Sequence, residues 1–65
     1  MANLTTKELS GIEDQLKCEQ NLIGKCRMFS QNAQDAALKN KFDEIAQKHQ
    51  QHYDKLFSLL GYRTA

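Results

Sequence analysis

Glu19, His49 and His52 are the residues of this 65-residue chain whose types and spacing can do chemistry together. The two histidines are the only ones in the sequence, and they lie three apart in AQKHQQHYDKL, residues 46–56, inside a helical pattern at positions that call for core residues. Residues three apart on a helix share a face, with Cβ atoms roughly 5–6 Å apart, so both imidazoles can address one ion. Glu19, on a facing helix, would add an oxygen. Carboxylate di-metal bundles are built in this way, with one glutamate on a helix and a Glu-x-x-His pair on its partner. His-x-x-His replaces a carboxylate by a neutral ring and removes negative charge that two iron ions would want, so zinc or another imidazole-preferring divalent transition metal fits better. Three ligands leave one position for water or for a residue of a second subunit. A plainer description fits the same residues: Glu19 accepts hydrogen bonds from His49 or His52 in a buried polar layer that holds no cofactor and fixes register and oligomeric state at some cost in stability. Both descriptions stay open. The sequence has no nucleophile, base and orienter set and no glycine-rich phosphate loop, so no catalytic residue is assigned and an enzyme is not expected.

Two helices are needed to bring these residues together, and the sequence marks both. Proline is absent and Gln, Lys, Leu and Ala are abundant, which favours helix throughout. Thr5 followed by Glu8 forms a capping box, with Leu4 and Leu9 as its hydrophobic staple, so helix 1 is predicted over about residues 6–31. Its inner stripe is Leu9, Ile12, Leu16, Glu19, Ile23 and Cys26, widened by Leu22 and Phe29. SQNAQDA, residues 30–36, interrupts the pattern, and Asp35 is a cap for a second helix over about residues 36–60. Helix 2 carries a stripe of Leu38, Phe42, Ile45, His49, His52, Leu56 and Leu59, with Ala46, Tyr53 and Leu60 alongside. Gly61 is expected to end it in a left-handed cap, with Tyr62 folding back on Phe57.

So short a connection predicts a single all-α domain over residues 1–65, an antiparallel two-helix hairpin. Folding it about Gln34 faces Leu9 with Leu59, Ile12 with Leu56, Leu16 with His52, Glu19 with His49, Ile23 with Ile45, and Cys26 with Phe42. That register sets the one stripe carboxylate beside both histidines. The apolar faces are wider than a two-stranded seam requires, and a chain of this length buries little core by itself. Two hairpins are therefore expected to pair as a homodimer, a four-helix bundle whose interface draws on Leu16, Leu22, Ile23, Phe29, Ala46, Tyr53, Leu56, Phe57 and Leu60.

Nine basic and eight acidic residues leave a formal charge of +1, without the basic footprint of a nucleic-acid or anionic-membrane binder. No apolar run approaches the roughly 20 residues that span a bilayer, and no leader pattern opens the chain, so it is expected to be soluble, unprocessed and made in the cytoplasm. Cys18 and Cys26 stand eight apart, about 12 Å along a helix at ~1.5 Å per residue, beyond the reach of an intrachain disulfide. Cys18 is expected on the outer face and Cys26 in the core. Gly24 lies in mid-helix, where it costs about 1 kcal/mol relative to alanine.

The runs LTTKELSGIEDQL, CEQNLIGKC and LKNKFDEIAQKHQQHYDKL resemble the coat F family of spore coat proteins from endospore-forming bacteria, in particular its short members. The resemblance extends from Leu4 to about Leu60 and is most specific at Glu19 with Leu22 and Ile23, and at Ile45 and Ala46 leading into His49 and His52. Family members often have a second glutamate where this chain has Gln20, a tyrosine at Cys26, and Asp-Pro where Asp35 and Ala36 stand. The resemblance implies a ferritin-like helical arrangement, a place in the spore coat, and a role as a structural or assembly protein with other coat proteins as partners. A small ferritin-like metal-binding protein is the alternative it leaves.

Overall fold

Thr5 and Glu8 exchange both hydrogen bonds of a capping box: the Thr5 hydroxyl oxygen accepts from the Glu8 amide at 3.0 Å, and Glu8 Oε1 accepts from the Thr5 amide at 2.9 Å. Thr5 remains extended (φ −72°, ψ 163°), so the first helix has one defined start, and α1 runs Thr6–Asn32. The structure is a computed structural model that describes the backbone of residues 4–64 and the side chains of residues 4–61. At the other end of α1 the extended Ala33 turns its amide back to the Phe29 carbonyl at 2.9 Å and the Ser30 carbonyl at 3.4 Å. The Asn32 side chain donates to the Met28 carbonyl at 3.0 Å. These bonds satisfy carbonyls that the helix end would leave open. Asp35 then caps α2, Ala36–Thr64, through Oδ1, which accepts from the Leu38 amide at 3.1 Å. Only Ala33, Gln34 and Asp35 separate the helices, which pack against each other as a hairpin. No strand occurs among the described residues.

Gly61 does not stop α2. The helix passes through it to Thr64, and no described residue has a positive φ. Glycine permits the left-handed cap without imposing it, and the residues around it are as compatible with helix as those before. The expected packing of Tyr62 on Phe57 falls on a side chain outside the described ones. Phe57 instead stacks on Tyr53, ring centroids 6.0 Å apart.

The face that α2 turns to α1 keeps Phe42, His49, Leu56 and Leu59 of the expected stripe but is rotated toward Ala46 and Tyr53. Ala46 is fully buried, and Phe42, His49, Tyr53, Leu56, Leu59 and Leu60 are half-buried, whereas Leu38, Ile45 and His52 are exposed. Two neighbouring stripes on this helix are apolar enough to form the seam, and periodicity alone does not choose between them. The choice falls on the one containing Ala46, whose small side chain lets the helices approach closely. On α1, Leu16, Glu19, Cys26 and Ser30 are buried. Near the turn, the Phe29 and Phe42 rings meet at 5.3 Å.

Candidate metal centre

Glu19 is held at the seam by both helices. It is 4% exposed, and both of its oxygens are engaged. His49 Nδ1 donates to Oε2 at 2.5 Å from α2, and the Gln15 side-chain amide donates to Oε1 at 3.1 Å from one turn earlier on α1. His52 Nδ1 stands 3.8 Å from the same Oε1. The two imidazole rings meet edge to face with centroids 6.1 Å apart. Glu19 and His49 thus pair as the hairpin register predicts. His52 leans over Glu19 from the rim, with 65% of its side chain exposed against 27% for His49.

Burial pushes the Glu19 carboxyl upward, but the hydrogen bonds from His49 and Gln15 and the nearby histidine charges outweigh it, holding the group below its ordinary value of 4.5. Glu19 is therefore a carboxylate at neutral pH. Among the described residues, no buried side-chain nitrogen or oxygen lacks a partner. One ligand atom from each of Glu19, His49 and His52 lies within 4.8 Å of the others, close enough to hold a metal ion. Zinc sits about 2.0–2.2 Å from such donors, so tetrahedral donors stand roughly 3.3 Å apart. His49 approaches Oε2 at 2.5 Å and His52 approaches Oε1 at 3.8 Å, and donors separated by up to 4.8 Å would close by up to about 1.5 Å to enclose the ion. Side-chain rotation covers such distances.

Gln15 is the residue that sequence reasoning missed. Its signal is position, four before Glu19 and hence one helical turn away. Tyr53, expected alongside the stripe of helix 2, turns to the other side of the hairpin, where its hydroxyl accepts from the Gln20 side chain at 3.5 Å. There Gln20, Ile23, Gly24, Gln50 and Tyr53 line a shallow groove. Of the residues expected at a dimer interface, Leu16 and Ala46 are buried within the hairpin, Ile23, Tyr53, Leu56 and Leu60 are half-buried, and Leu22, Phe29 and Phe57 are exposed. Cys18 is exposed and Cys26 buried, both as free thiols. No described helix is long and apolar enough to cross a membrane. No family model matches the chain, and no curated protein or solved structure matches it either.

Proposed function

We propose that this chain is a structural or assembly protein that works by helix–helix self-association, with two hairpins forming a four-helix bundle and, from its resemblance to the coat F family, a place in the spore coat. The observation that carries the association is an unpartnered apolar flank. Leu22 (38% exposed), Phe29 (47%), Leu38 (49%) and Ile45 (40%) open to solvent, while among the described residues the apolar side chains that the hairpin buries are Leu16, Cys26 and Ala46. Leu22 and Phe29 are seven apart on α1, as are Leu38 and Ile45 on α2, so each pair forms a stripe along its helix. Continued by seven, the stripes reach Gln15 and His52, which both approach Glu19 Oε1. The two stripes therefore lie on the same side of the seam. A second copy is the simplest cover for a self-complementary patch. In sedimentation equilibrium the chain is expected at twice its 7.5 kDa mass. Leu22→Glu with Ile45→Glu is expected to return it to the monomer, and a wild-type monomer at about 100 μM, above the Kd of any stable dimer, overturns the reading.

A second reading is favoured by a different observation, the convergence of Glu19, His49 and His52. On this reading the chain is a small metal-binding protein that takes zinc or another imidazole-preferring divalent ion, with Gln15 orienting the carboxylate as a hydrogen-bonded outer neighbour. His52→Ala removes a ligand that is mostly exposed and leaves the bond between Glu19 and His49 in place. Native mass spectrometry after zinc loading is expected to show one ion per chain in the wild type and none in the variant. Equal zinc content in both sinks this reading.

A further inference from the structure

The ligands of the Glu19 site are graded from buried to exposed, and the open end points one way. Glu19 lies in the seam, His49 is partly covered, and His52 stands at the rim with 65% of its side chain in solvent. An ion held by these three would have its remaining coordination position on the side of His52. That side is the flank of Leu22, Ile45, Phe29 and Leu38, because Gln15 and His52 cap the two stripes at the same level.

The size of the molecule indicates what covers this flank. The chain exposes 5134 Å², whereas a compact monomer of 7.5 kDa exposes about 4,200 Å², an excess of about 900 Å². A standard protein interface buries about 800 Å² on each partner. The shape agrees: the radius of gyration is 14.9 Å within extents of 46 × 16 × 12 Å, where about 11 Å suits a compact 65-residue domain and about 14 Å suits one of twice that length. A second copy laid alongside, not end to end, turns a thin rod into a bundle of ordinary proportions.

Resting on both readings above, we propose that metal binding and self-association are coupled: the ion at Glu19, His49 and His52 strengthens the dimer, and the dimer strengthens ion binding. The physical reason is the state of His52 and Gln15 when the flank is covered. Without an ion, the His52 ring nitrogen is 3.8 Å from Glu19 Oε1, beyond hydrogen-bond distance, and a second copy would take that ring out of water with only this long contact to the carboxylate in exchange. With an ion, the ring is drawn onto the metal, its donor atom is satisfied, and its apolar edge joins the stripe begun by Ile45 and Leu38. Covering the flank then costs less. Linkage is reciprocal, so each ion binds the dimer more tightly than the monomer by the factor through which it strengthens the dimer.

The test is sedimentation equilibrium of the full chain in zinc chloride and in chelator, with zinc affinity measured in parallel by competition against a chromophoric chelator. Zinc is expected to lower the dimer Kd on the order of tenfold for each ion bound, so about a hundredfold for two. His52→Ala is expected to remove that response and, by deleting the ring that the metal-free dimer would cover unsatisfied, to tighten the metal-free dimer rather than weaken it. Ile45→Glu, which touches no ligand, is expected to weaken both association and zinc binding. A zinc-loaded chain whose dimer Kd equals that in chelator overturns the coupling and leaves both readings standing. Absence of zinc binding overturns the metal reading and the coupling with it, and a monomer in both conditions overturns self-association and the coupling. Zinc-driven growth beyond the dimer also overturns it, by showing that exposed His52 bridges chains without specificity.

Discussion

A carboxylate buried at a helix seam is tolerated only while its hydrogen bonds persist, and this sets how the Glu19 layer responds to substitution. His49→Leu removes the 2.5 Å bond and leaves the carboxylate facing an apolar side chain, so the urea midpoint is expected to fall. Adding Glu19→Leu in the same chain is expected to restore or exceed the wild-type midpoint, since a packed apolar pair replaces a buried polar one. Acid acts on the same bond. The Glu19 carboxyl is held below its ordinary 4.5, so as pH falls the unfolded chain takes up the proton first. The stability it contributes is present above about pH 4.5 and is lost as pH drops through the lowered folded value. Glu8 is lowered too, by its bond with the Thr5 amide, and contributes in the same direction. Glu19→Gln is thus expected to flatten part of the decline in urea midpoints measured over about pH 3 to 6, and an unchanged slope would show that the carboxylate is not stabilised in the fold. The pairing of Glu19 with His49 was legible because Glu19 is the one carboxylate on an apolar stripe. Gln15 was not, since nothing in its type separates it from the other glutamines on solvated faces.

At the scale of the elements, the two N-terminal caps and the turn were readable, whereas the stop expected at Gly61 is absent and the inner face of α2 takes Ala46 and Tyr53 in place of Ile45 and His52. Thr5, Glu8 and Asp35 act through bonds to neighbours three residues away, so the sequence contains the whole interaction. The choice of Ala46 over Ile45 depends on how closely the other helix approaches, which no local pattern records. Gly24 is a related case. A Cβ built there meets nothing within 4 Å, so no close contact inside the hairpin requires the glycine. Gly24→Ala is expected to raise stability by about 0.5–1 kcal/mol through helix propensity, read from the shift in denaturation midpoint. It lies beside the Tyr53 groove, on the flank opposite His52, so the dimer Kd is expected to stay unchanged. A loss of stability or of dimer would place another helix against that groove instead.

At the scale of the whole molecule, a hairpin that buries so little apolar surface owes part of its stability to whatever covers the rest. Tm is accordingly expected to rise with protein concentration, as it does for chains whose folding and association are linked, and a Tm independent of concentration would show that the hairpin stands alone. The three-residue connection has a kinetic consequence as well. Phe29 and Phe42, whose rings meet at 5.3 Å beside the turn, enclose a loop of about a dozen residues, whereas Glu19 and His49 enclose one more than twice as long. Loop closure thus favours a chain that zips from the turn toward its ends. Within one copy, shortening Phe42 should slow folding, while shortening Leu9 near the open end should chiefly speed unfolding. The ion site then forms midway along the zipper, after the aromatic pair and before the last turns close.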